Sequence, residues 1–160
     1  MAAGANRRWQ IKTFAQMSAA EMYGVMKLRQ DVFIVEQMCP FADLDNKDVH
    51  CHHLWAEHEQ EIVAYLRLVP PSLLDEQAVS LGRVCTAPSA RSGGIGRELV
   101  LNGLSELKRL YPKRRCEIGA QTYLTSFYQS VGFRVHGEPY LEDGIPHRHM
   151  ACELTEWSYK

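Results

Sequence analysis

The chain has 160 residues, 46% of them apolar and 23% charged, with 18 basic against 19 acidic side chains and a net charge of −1. That balance excludes a general nucleic-acid surface, which needs clustered excess Lys and Arg, and no apolar run approaches the roughly 20 residues of a membrane span. Met1 to Arg8 lack the apolar stretch of a secretion signal, and five scattered cysteines (Cys39, Cys51, Cys85, Cys116 and Cys152) without C-x-x-C spacing read as reduced thiols of a cytoplasmic protein.

The length suits one domain over residues 1–160, able to bury about two-thirds of its unfolded surface. Trp9 to Phe14 alternates weakly and predicts a first strand. Ser18-Ala-Ala-Glu21 has capping-box spacing and opens a helix carrying Met22, Val25, Met26, Arg29, Val32 and Phe33. That helix is expected to stop near Val35 to Gln37, before Pro40. Cys39 to Val49 reads as a loop. His52 to Glu57 and Ile62 to Val69 read as strands around a polar turn, and Val79 to Thr86 as another, closed by Pro88. Ile95 to Leu110 is an amphipathic helix with Ile95, Leu99, Leu104, Leu107 and Leu110 on one side. Cys116 to Gln121 is a short buried strand, Thr122 to Ser130 a helix, and Phe133 to Tyr140 and His147 to Leu154 the last strands, joined by a turn at Asp143-Gly144. The order β-α-β-β-β-α-β-α-β-β predicts an α/β chain of the α+β, mixed-sheet kind: a central mixed β-sheet flanked by helices.

Arg91-Ser92-Gly93-Gly94-Ile95-Gly96-Arg97 stands between a strand and the long helix. Glycines there let a backbone approach a ligand that a Cβ would exclude. A helix start adds unpaired N–H groups and the positive end of the macrodipole. The combination suits an anion, most often phosphate. A dinucleotide fold would need a third glycine where Leu99 stands, and a Walker loop would need Lys-Ser/Thr where Arg97-Glu98 follow Gly96.

The run Leu81-Gly-Arg-Val84-Cys-Thr-Ala-Pro88-Ser-Ala-Arg91-Ser-Gly-Gly94-Ile-Gly96-Arg-Glu-Leu99, followed after one strand by Phe127-Tyr128-Gln-Ser-Val-Gly132-Phe133, resembles the GNAT superfamily of acetyl-CoA-dependent N-acetyltransferases. The resemblance covers nearly the whole chain. Leu28-Arg29, Val32-Phe33, Val35-Glu36-Gln37, Cys39-Pro40-Phe41, Asp43, Asp45, His53, Gly119-Ala120-Gln121 and Asp143-Gly144-Ile145-Pro146-His147 look like its ElaA-type subgroup. The resemblance implies the GNAT acyl-CoA N-acyltransferase fold, with acetyl-CoA as cosubstrate and an amine acceptor (small molecule or protein amine) as partner. Strand edges of such folds often pair between subunits, so a homodimer stays open, although no exposed apolar stripe commits the chain to one.

By the same resemblance, Arg91, Ser92, Gly93, Gly94, Ile95, Gly96 and Arg97 wrap the coenzyme A pyrophosphate, and Val84, Cys85 and Thr86 pair with the pantetheine arm. An N–H near Val84 or Cys85 would face the thioester carbonyl, an oxyanion contact usually worth a few kcal/mol. Tyr128 would donate a proton to the leaving thiolate; unperturbed thiols and phenols titrate at ~8.5 and ~10, so the transfer is expected to be cheap. A plain core aromatic is the alternative for Tyr128. No carboxylate lies between Val79 and Thr86 to act as base. Glu36, His53, His147 and Glu117 are the candidates, Glu36 because partial burial would raise its pKa, unless it simply pairs with an Arg.

His50-Cys51-His52-His53 puts only two ligands on each strand face, short of the four of a structural zinc site, so no metal is expected. Lys108, Arg109, Lys113, Arg114 and Arg115 sit where a helix C-terminus favours cations. Asp43, Asp45 and Asp48 read as a solvated loop, with attraction of a cationic amine as the sharper alternative. The functional expectation is an N-acetyltransferase moving an acetyl group from acetyl-CoA to a primary amine in a ternary complex. The alternatives are a non-catalytic acyl-CoA-binding sensor or interaction module and, less favoured, a nucleotide hydrolase.

Overall fold

The computed structural model describes residues 6–159; of the stretch read for a secretion signal, Met1 to Ala5 fall outside them. Strand β1 (Arg8–Thr13) leads into α1 (Ala19–Arg29). The capping box forms: Glu21 N–H donates to Ser18 Oγ at 3.1 Å and Ser18 N–H donates to Glu21 Oε2 at 2.8 Å. From Gln30 to Glu36 the helix continues with the wider π-type turn, rare enough to mark functional segments. Met38, in the left-handed region at φ 51°, ends it ahead of Pro40.

Strands β2 (His52–His58), β3 (Glu61–Val69) and β4 (Ala78–Thr86) follow as an antiparallel meander. After α2 (Ile95–Leu110) come β5 (Arg115–Gln121) and α3 (Thr125–Ser130), the latter entered through a 3-10 turn, Thr122–Leu124. The expected strand from Phe133 to Tyr140 is two pieces, β6 (Arg134–Val135) and β7 (Tyr140–Glu142), because Gly137 turns the chain at φ 76° and Pro139 lacks a donor. Asp143 and Gly144, both at positive φ, form the two-residue turn into β8 (Ile145–Glu153).

The eight strands form one mixed sheet in the order β1-β2-β3-β4-β5-β8-β6, with β7 also on β8. Helix α2 covers one face, burying Ile95, Leu99, Leu104 and Leu107 against Leu66, Val79, Leu81, Cys116, Ile118 and Met150. Helix α1 covers the other, packing Val25, Leu28 and the π-helical Val32 on Trp55, Tyr65 and Cys85.

Two irregularities open the sheet at its centre. Strand β4 pairs with β5, in parallel, only at Ala78↔Arg115 and Val79↔Cys116. Beyond that point the strands part, while β5 stays paired along its other edge with β8. On the β3 side the register jumps from Tyr65↔Cys85 to Arg67↔Gly82, so Arg83 and Val84 bulge opposite Leu66, Arg83 at φ 54°. The outer edge of β4 from Leu81 to Thr86 therefore faces a gap rather than a partner strand.

Candidate functional site

The glycine loop meets α2 at one end of this gap. Gly94 is the N-cap of α2 at φ 75°, and Ser92 precedes it at φ 77°. No side chain caps the helix, so its first-turn N–H groups stay available to an anion. A Cβ at Gly94 or Gly96 would meet nothing within 4 Å, which leaves open space above both. Glu98, the one acidic group of the first turn, is turned away by Arg7 at 3.1 Å and Trp9 Nε1 at 3.0 Å. Arg97 reaches across to α3, donating to Ser130 Oγ at 3.0 Å and Ser130 O at 3.1 Å.

Arg91 is held from two sides. Its Nη1 and Nη2 donate to Glu36 Oε1 and Oε2 at 2.8 and 2.9 Å, and Nη2 also donates to Thr86 O at 3.0 Å. The π-helical segment thus delivers Glu36 to the glycine loop and the end of β4. Here the expectation that burial raises the Glu36 pKa is overturned: the carboxyl is exposed, and the Arg91 hydrogen bonds lower its pKa.

Of the three β4 residues, Val84 lies against the α2-side core while the Cys85 side chain sits in the α1-side cluster. Burial pushes the Cys85 thiol up to about 12, so it stays protonated and inert.

Tyr128 is buried between Phe127 and Phe133, with edge-on rings 5.1 and 5.5 Å away. Burial pushes its phenol up to about 12. Complete transfer of that proton to a thiolate of ordinary pKa (~8.5) would cost about 5 kcal/mol. The expectation of a cheap transfer from unperturbed values therefore loses its basis, and the phenol stays neutral.

His53 is wholly buried. Its Nε2 lies 2.9 Å from Asp48 O, an acceptor only, so Nε2 carries the proton and Nδ1 accepts from the Tyr65 hydroxyl at 2.8 Å. Desolvation lowers its pKa. Both ring nitrogens are occupied inside the core, away from the gap.

The aspartates are not a solvated cluster, and they carry no free field for an amine. Arg29 Nε donates to Asp43 at 2.8 Å and Nη1 to Asp48 at 2.7 Å. Arg67 Nη1 donates to Asp45 at 2.8 Å and to Asp48 at 3.0 Å, and Arg83 Nε to Asp43 at 2.7 Å. Three guanidinium groups neutralise three carboxylates, two of them buried. Arg67 holds Asp45 well below the usual carboxylate range. For Asp48 burial pushes the pKa up, but the hydrogen bonds and charges of Arg29 and Arg67 outweigh it, so it is lowered. The network pins the 39–50 loop over the sheet.

On the far side of the gap, Glu117 is bonded by Arg115. His147 pairs with Gln121 of β5 and Tyr140 of β7. Its Nδ1 lies 2.8 Å from Ile145 O and its Nε2 3.8 Å from Glu142 Oε2. Tyr140 stacks on His149 at 4.3 Å and reaches β5 where Gly119 leaves room: a Cβ there would run into the Tyr140 hydroxyl. Sequence reasoning missed Tyr140 and Glu142. The signal was present in Asp143-Gly144, because a two-residue turn there sets Tyr140 opposite His147.

Among the described residues no helix is long and apolar enough to cross a membrane, and no three His, Cys, Asp or Glu side chains converge as metal ligands.

Known proteins share this fold. Protein ElaA of Escherichia coli (strain K12) is 36% identical over 150 residues, which span 92% of this chain and 97% of that protein. The crystal structure of Escherichia coli ElaA matches with a TM-score of 0.87 at 35% identity, over 92% of this chain and 99% of that one. That of an acyl-CoA N-acyltransferase from Pseudomonas aeruginosa matches with a TM-score of 0.86 at 36% identity, over 91% and 99%. A family model described as an acetyltransferase (GNAT) domain matches residues 7–154, and with a split sheet, an uncapped helix start and a model match over nearly its whole length, this chain belongs to the GNAT acetyltransferase family.

Proposed function

We propose that this protein is an N-acetyltransferase that moves an acetyl group from acetyl-CoA to a primary amine by direct attack in a ternary complex. The observation that carries the reading is the uncapped α2 start, with open space above Gly94 and Gly96, at the mouth of the β4–β5 gap. Backbone N–H groups from Gly93 to Gly96 take the pyrophosphate, helped by the α2 dipole. The pantetheine arm lies along the unpaired edge of β4 at Val84, Cys85 and Thr86, as a further strand would. An N–H of Val84 or Cys85 then stabilises the oxyanion as the amine attacks. Tyr128 donates a hydrogen bond to the departing sulfur. Its raised pKa keeps it a donor across the physiological range.

Calorimetry with coenzyme A and acetyl-CoA, followed by thiol release with a panel of primary amines, tests the reading. Binding of both cofactors and amine-dependent thiol release are expected. Lack of binding by either would end it, and binding without thiol release would favour an acyl-CoA sensor.

A further inference from the structure

We propose that His147 is the general base that deprotonates the amine, with Glu142 as its positioning residue; the assignment rests on the acetyltransferase reading above. Ile145 O can only accept, so the Nδ1 of His147 must carry the proton of the neutral ring. Nε2 is thereby left as the unprotonated nitrogen, with Glu142 Oε2 at 3.8 Å. A proton arriving at Nε2 completes an ion pair with a carboxylate already in place.

Register puts this nitrogen at the right level. Val79 is opposite Cys116, and the bulge at Arg83 and Val84 absorbs one residue of β4, so Cys85 comes level with Gln121 across the gap. Gln121 is the cross-strand partner of His147. Cys116, Ile118 and Ala120 face the α2-side core, so Gln121 and His147 occupy the opposite face. The glycine loop belongs to α2. A cofactor arm threaded through the gap from that side offers its thioester to the face that His147 occupies.

The other candidates are engaged elsewhere: Glu36 with Arg91, Glu117 with Arg115, and His53 with Tyr65 and Asp48. The titratable and charged groups around His147 are Glu142 and Tyr140 from β7, His149 behind Tyr140 on β8, and Glu117 with Arg115 further down β5. The Thr122–Leu124 turn beside β8 adds only the Tyr123 phenol.

The protons balance. The ammonium form of the acceptor gives one proton to His147 Nε2. The free amine attacks the thioester carbon, the C–N bond forms and the C–S bond breaks. The second nitrogen proton passes to the thiolate, with Tyr128 donating to sulfur in transit. His147 then releases its proton to solvent beside Glu142, which is 59% exposed.

The test compares wild type, His147→Gln and Glu142→Gln with acetyl-CoA and two probe amines, lysine methyl ester and methoxyamine. Methoxyamine is already unprotonated at neutral pH and needs no base. For His147→Gln, kcat/KM with lysine methyl ester should drop roughly 100-fold, in the range for loss of a general base, while methoxyamine keeps its wild-type rate. Glu142→Gln, an exposed change, should lower kcat with lysine methyl ester while leaving its KM and the methoxyamine rate as in wild type. Equal losses with both amines, or an unchanged kcat in Glu142→Gln, would overturn the assignment. So would acetyl-CoA binding by wild type without transfer to either amine. Failure of acetyl-CoA to bind is a different result and removes the acetyltransferase reading itself.

Discussion

Glu36 and Arg91 lie far apart in the chain and meet in a two-pronged ion pair, 2.8 and 2.9 Å, that ties the end of the π-helical segment to the glycine loop. Because Arg91 also bonds Thr86 O, the pair fixes the loop relative to the edge of β4. Glu36→Gln should leave the melting temperature nearly unchanged, since exposed pairs contribute little stability. It should raise the Kd for acetyl-CoA several-fold, measured by calorimetry. The Glu36 pKa is lowered, so the pair persists at neutral pH and is lost only as pH falls through that depressed value.

Gly94→Ala separates strain from function. The new Cβ has no neighbour within 4 Å, so the folding cost is confined to the left-handed backbone at φ 75°, about 1–2 kcal/mol. That methyl projects into the space assigned to the pyrophosphate. Acetyl-CoA affinity should therefore fall by more than the stability does, with thermal unfolding and calorimetry run side by side. A proportionate loss of both would argue against an anion there.

Arg29→Met leaves Asp43 and Asp48 short of a partner in the core. Breaking a buried pair from one side costs about 3–5 kcal/mol, and chemical denaturation should show a loss of that order. Asp48 has a lowered pKa, so its contribution is present above the ordinary carboxylate range and disappears as pH falls through the depressed value. In Arg29→Met that acid-side loss should shrink.

His53→Gln is predicted to act on stability alone. The ring is buried and neutral, with a lowered pKa. The unfolded chain therefore binds this proton first, and wild-type stability falls as pH drops below the ordinary imidazole range. The variant should lose that dependence and keep the acid limb of the pH–rate profile. A displaced limb would return His53 to the chemistry.

Tyr128→Phe keeps both edge-on ring contacts. It should bind acetyl-CoA as wild type does and lower kcat by roughly 10- to 100-fold, toward the lower end for loss of a proton-donating group. An unchanged kcat would make Tyr128 a core residue only.

Local pattern carried most of the fold. Helix α2 runs from Ile95 to Leu110, the span read from its apolar stripe, and α1 begins at the Ser18 capping box. Strand β4 differs from its expected start by one residue. These signals reside in nearest neighbours along the chain: side-chain period, a cap, a proline. The split of Phe133 to Tyr140 into β6 and β7 was also local, because Gly137 and Pro139 were there to be read.

What lay beyond reach were pairings across long sequence distances. The amino-acid order announces an anion-binding elbow at Gly93 to Gly96, since glycine, helix start and dipole are properties of one short segment. It is silent on whether Asp43, Asp45 and Asp48 face water or three arginines, and on which side chain Glu36 meets. Those answers require strands to be laid beside one another, because burial and partner charge, which set each group's pKa and access, arise only once the sheet is assembled. The parting of β4 from β5 belongs to the same kind. Each sequence is an ordinary strand, and only in the assembled sheet does β5 meet β4 at two positions while pairing along its whole length with β8 on its other edge.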